Sequence, residues 1–197
     1  MSYLDEARHL VATATDPEGM IQALMALLRG HLGDPAAGQE PSNLPDGCSD
    51  FRVSGGFFLT PDATQLMLVG NSGFPADQER LSIPSDGGDP GRVIATARPL
   101  LLADTRGHDG FRQYLKTARM GSAIYAPLPR GGEDKVYGLI IVAALAANSF
   151  NEEDLAVLGA LALDAAARWE ALDGPLWLAE EYHAADAAGR RYVVGTK

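Results

Sequence analysis

The 197-residue sequence holds one cysteine, Cys48. A single thiol excludes an internal disulfide framework and most cysteine-based metal sites, and it points to the cytoplasm. Basic clusters are missing as well. Sixteen Lys and Arg face 26 Asp and Glu, for a net charge of −10, and the adjacent basic pair is Arg190-Arg191. Nucleic acid is therefore not an expected partner, because neutralising its backbone needs clustered cations. Long hydrophobic runs are absent too. The longest uncharged apolar stretch, residues 136–147, is too short to span a bilayer, so no membrane contact is expected. The opening Met1-Ser2-Tyr3-Leu4-Asp5-Glu6 carries neither the basic stretch nor the apolar core of a signal peptide. Catalytic motifs are missing. Gly87-Gly88-Asp89-Pro90-Gly91 has neither dinucleotide-loop spacing nor the lysine of a phosphate loop. No H-E-x-x-H, G-x-S-x-G or C-x-x-C occurs. The reading is that the chain is not an enzyme, with no cofactor or metal implied.

What is present describes one α/β domain. Its length suffices for a full core, burying roughly 70% of the unfolded surface. Residues 3–13 and 17–32 read as helices. Asp16-Pro17-Glu18 supplies an N-cap, a proline at the first helical position and an acid in the first turn. Ile21, Leu24, Leu28 and Leu32 follow at helical spacing. Residues 33–50 read as a surface loop. Residues 51–59 and 65–70 read as a hairpin whose turn contains Pro61. Gly55-Gly56 inside its first strand predicts a bulge or a close approach. Residues 71–88 read as loop, anchored by Phe74, Leu81 and Ile83. Asp89 is expected to cap a helix that Arg98-Pro99 ends. A short strand at 100–103, a helix at 110–119 and a hairpin of 122–129 with 135–145 follow. The clearest helix starts at Asn151, with Glu152, Glu153 and Asp154 in its first turn and Phe150 and Leu155 placed as a hydrophobic staple. Leu155, Leu158, Ala162, Ala165, Trp169 and Leu172 form its apolar stripe, and Asp173-Gly174-Pro175 stops it.

The order and spacing of five segments carry a resemblance. They are Asp89-Pro90-Gly91-Arg92-Val93, Leu101-Leu102-Ala103-Asp104, Ser122-Ala123-Ile124-Tyr125-Ala126-Pro127-Leu128, Val136-Tyr137-Gly138-Leu139-Ile140-Ile141 and Phe150-Asn151-Glu152-Glu153-Asp154-Leu155. Over residues 20–172 the chain resembles the GAF domain family, a small-molecule-sensing α/β (α+β) fold related to PAS domains. The resemblance implies an antiparallel sheet with helices on both faces. Terminal helices would cover one face, and shorter helices and loops would roof a pocket on the other. Residues 1–19 then form an N-terminal helical extension, and residues 173–197 a tail outside the family pattern. The function it implies is a stand-alone sensor that binds a small molecule and signals through protein–protein contact, as a homodimer. The alternative is a dimerisation or interaction module whose pocket is filled by its own side chains. The free-methionine sulfoxide reductases that resemble GAF domains depend on several cysteines, which this chain does not have.

Candidate pocket residues follow. Phe57, Leu68, Phe74, Ile83, Val93, Phe111 and Ile124 are the inward apolar set. Gly91 and Arg92, in the first turn after Asp89-Pro90, would meet a ligand through backbone N–H groups and a guanidinium, since helix N-termini attract anions. Asp104 and His108 lie in the loop beside the expected opening. His108 there reads as a solvent-exposed loop histidine, with a haem-ligand role as the alternative. Cys48 sits between Asp46 and Asp50, acids that make a thiolate harder to form, and it reads as incidental.

Overall fold

The structure, a computed structural model, describes residues 2–131 and 135–194. Six strands form one antiparallel sheet in the order β3-β2-β1-β6-β5-β4. They are β1 Arg52–Leu59, β2 Gln65–Ser72, β3 Ser82–Pro84, β4 Leu100–Leu102, β5 Ser122–Pro129 and β6 Val136–Ala144. The helices are α1 Tyr3–Thr13, α2 Pro17–His31, α3 Gly88–Thr96, α4 Glu152–Ala171 and α5 Gly174–Ala187. Glu133 and Asp134 of the expected β5–β6 turn lie outside the described residues.

Local chemistry explains the helix starts. Asp16 Oδ1 accepts from the Gly19 N–H at 2.6 Å. Asn151 Oδ1 accepts from Glu153 and Asp154 N–H at 2.8 and 3.0 Å, and Asp154 Oδ2 accepts from the Asn151 N–H at 3.1 Å. That reciprocal pair satisfies donors the helix leaves free. Among the described residues no helix is long and apolar enough to cross a membrane.

Strand alternation sorts side chains into two cores. Phe58, Met67, Ile124 and Ile140 pack with Ile21, Leu24, Leu158, Ala162 and Trp169 beneath α1, α2, α4 and α5. Val53, Phe57, Leu68, Tyr125, Leu139 and Ala143 pack with Ile83, Val93 and Phe111 on the opposite face. Both faces of β6 are covered, so the apolar stretch that opens at Val136 reads as nearly continuous. Residue 20 falls inside α2, which is one uninterrupted element.

Three expectations are corrected. The segment 71–88 is not all loop, because β3 pairs antiparallel with β2, matching Ile83 with Leu66. Residues 110–119 form no helix. Side-chain amides take the backbone groups a helix would pair: Gln78 Nε2 donates to Tyr114 O at 3.0 Å and Gln78 Oε1 accepts from the Lys116 N–H at 2.7 Å. Gln113 does the same for Leu115 O and the Met120 N–H. Asp89 is not the cap of α3; Gly87 is, and Asp89 sits in the first turn. Trp169, on the apolar stripe of α4, is fully buried within the protomer, stacked on Phe58 at 4.0 Å between ring centroids.

Candidate functional site

The pocket-side core is not completely filled. A cavity of about 50 Å³ lies between the sheet and the roof loop that follows Gly110. Its floor is built by alternation along three strands: Val53 and Phe57 from β1, Tyr125 from β5, and Leu139, Ile141 and Ala143 from β6. Leu81 and Ile83 close the β3 side, Pro90 comes from α3, and Phe111, Arg112, Gln113, Tyr114, Leu115 and Met120 form the roof.

Gly55 makes this geometry workable. A Cβ there would lie 2.8 Å from Phe74 Cζ, so the missing side chain lets Phe74 fold over β1 beside Phe57, at 6.1 Å between ring centroids. Gly56 faces the other way, where a Cβ would meet Ile21 at 2.6 Å. A bulge also occurs next to them, because the β1–β2 register shifts between Gly56 and Phe57.

Tyr125 brings a hydroxyl to this mostly apolar lining, on a side chain that is buried. Burial, aided by the nearby Asp89 carboxylate, raises its pKa far above the usual phenol range. The hydroxyl is therefore a neutral donor at every physiological pH. Nothing in the sequence singled out Tyr125; its strand position, two residues from Ala123 on the same face, was the available signal.

The other expected residues are placed as follows. Phe57, Phe74, Ile83 and Phe111 line the cavity. Leu68 and Val93 belong to the same core but stand behind the wall. Ile124 projects to the helical face, because its neighbours Ala123 and Tyr125 take the pocket side. Gly91 packs against the Asp86 backbone, and its N–H donates to Gly87 O at 3.1 Å. Arg92 is exposed and does not reach the cavity. Asp104 is an exposed partner of Arg106, at 2.6 Å, whose guanidinium holds the carboxyl below its usual range.

Asp89 places a buried carboxylate at this end of α3. It is 2% exposed, its Oδ1 lies 3.1 Å from His108 Nε2, and its Oδ2 has no partner among the described residues. His108 is thus held by a buried carboxylate rather than free in solvent. Cys48 is exposed and lies off the cavity wall.

Comparison with known proteins returned a family model, the GAF domain, matching residues 44–170. A search of curated proteins found no significant match. Among solved structures, the GAF domain of a phosphoenolpyruvate-protein phosphotransferase from Coxiella burnetii aligns with a TM-score of 0.71 at 18% identity, covering 88% of this chain and 94% of that one. The corresponding GAF domain from Acinetobacter gives 0.69 at 13% identity, over 88% and 97%. A free methionine-R-sulfoxide reductase from Neisseria meningitidis, solved with its substrate, gives 0.67 at 20% identity, over 87% and 89%. The reductases correct the reading that this is no enzyme: they are enzymes on the same architecture, so the fold does not exclude catalysis. A match over more than half of the sequence, with the sheet order and two-sided core to support it, makes this chain a member of the GAF domain family.

Proposed function

We propose that this GAF domain is a sensory or regulatory module whose cavity takes a small, mostly apolar molecule carrying one hydrogen-bond acceptor. The observation that carries the reading is the cavity itself, mostly apolar and with the buried Tyr125 on its wall. A ligand carbonyl, ether or hydroxyl oxygen would accept a hydrogen bond from the Tyr125 hydroxyl inside this enclosure, a bond worth about 0.5–1.5 kcal/mol. A water needs only about 10–15 Å³ of such space, so 50 Å³ admits a few heavy atoms before the roof has to lift. Output passes to a partner protein or a second copy through the helical layer, where Leu163 and Leu176 are 59% and 62% exposed. The single thiol, Cys48, fits a reducing cytoplasm.

A thermal-shift screen tests this. Phenol, benzyl alcohol and butanone should raise the melting temperature, whereas nitrate, acetate and cyclic nucleotides should not. A ligand at about 100 times its Kd adds about 2.7 kcal/mol. Replacement Tyr125→Phe should weaken binding by about 0.5–1.5 kcal/mol. The small cavity favours a second reading, an interaction module already filled by Phe57, Phe74 and Phe111. That reading wins if no neutral probe shifts the wild type.

A further inference from the structure

We infer that residues 190–194 form a strap that holds the cavity roof closed and is released when an occupant lifts that roof, an inference that rests on the ligand reading above for its second half. These residues lie beyond the part of the chain matched by the family model. After α5 the backbone turns at Gly189, φ +65°, and runs along the free edge of β3. There Ser82 N–H donates to Tyr192 O at 2.8 Å, and Val194 N–H donates to Ser82 O at 2.9 Å, giving a parallel bridge between Ser82 and Val193. The side chains alternate as in a strand: Tyr192 and Val194 pack on the pocket-side core, while Val193 is 47% exposed.

The strap touches the roof directly. The Lys116 ammonium lies 4.4 Å from the Tyr192 ring centroid, and Lys116 is the residue after the cavity-lining Leu115. Arg190 reaches Glu79 at 3.1 Å, beside the Gln78 side chain that pins Tyr114 and Lys116. Arg191 is the anchor: it stacks 4.3 Å over Tyr182, pairs with Asp186 at 2.9 Å, and is 6% exposed. Two backbone bonds to Ser82, side-chain bonds from Arg191 to Gln65 and Ser82, and ion pairs of Arg190 with Glu79 and Glu181 hold this segment at the sheet edge. An edge segment of this kind can open locally without unfolding the sheet. An occupant with more than a few heavy atoms must displace the stretch from Arg112 to Leu115, and Lys116 then leaves Tyr192.

Two measurements decide the point. The first needs no ligand. Amide hydrogen exchange is compared between the full chain, a chain ending at Gly189, Tyr192→Ala and Tyr192→Phe. The first two variants should lose protection at 111–117 and keep it in β1, β5, β6 and α4, whereas Tyr192→Phe, which keeps the ring, should match the wild type. Unchanged exchange at 111–117 in both overturns the strap. The second follows trypsin cleavage after Arg191 with benzyl alcohol as probe. Loss of the Lys116 contact raises the open population about two- to fivefold, and cleavage follows that population. A melting shift without faster cleavage overturns release. If the probe gives no melting shift, the ligand reading fails and release falls with it, while the exchange result still decides whether the strap holds the roof.

Discussion

Filling the cavity from its floor gives a quantitative test of the pocket. Ala143 sits in central strand β6, opposite Val53 on β1 and Ala123 on β5, with its side chain on the cavity wall. Ala143→Val adds two carbon atoms to that space. At about 0.8 kcal/mol for each buried carbon, the gain is at most about 1.6 kcal/mol. Valine also suits a strand better than alanine. If the added methyls met packed protein instead, overpacking would cost about 1–3 kcal/mol, so the sign of the change separates empty space from filled. For a chain of this size, 1 kcal/mol moves the melting temperature by about 2–4 °C. The expected result is thus a rise of about 3–6 °C, from about 1.6 kcal/mol at that slope. Denaturant titration should show an unchanged m-value, and the response to benzyl alcohol should disappear. A loss of stability beyond about 1 kcal/mol, in the range of an overpacked core, would refute the claim that free volume lies above Ala143.

Further outcomes follow from the same geometry. Arg92→Ala should change stability by less than about 0.5 kcal/mol, as for a surface site, and leave probe binding as in the wild type; calorimetry showing weaker binding would put Arg92 at the ligand. In denaturant titrations, Leu158→Ala should cost about 2–5 kcal/mol by opening a core cavity, and Asn151→Ala about 1 kcal/mol by removing the α4 cap; the reverse order would mean the α4 face is exposed. Light scattering should give twice the 20.8 kDa protomer mass at micromolar concentration, and Leu163→Arg should return it to the monomer value. A monomer mass for the wild type across a hundredfold dilution would remove the dimer.

Helix starts were legible because their causes are local. Asp16 with Gly19, and Asn151 with Asp154, act over three residues, and the stripes at Ile21 and Leu158 recur within one or two turns. Strand partners on either side of Pro61 were legible for the same reason, and the ordered set of anchors was enough to recognise the family. The roof was not. Its residues read as a helix until Gln78, 36 residues from Tyr114, supplied competing hydrogen bonds. Face assignment failed at Ile124, because β5 is buried on both sides and its pattern does not say which side holds the pocket. The start of α3 lay earlier than expected, and that small shift turned Asp89 from an exposed cap into a buried carboxylate. By itself, then, the sequence determined α1, α2 and α4, the caps of α2 and α4, the hairpins and the family, all written in contacts a few residues apart. Tertiary structure alone decided the cavity, the place of Tyr125 on its wall and the course of the tail past Ser82, because each depends on residues far apart in the chain meeting at one place.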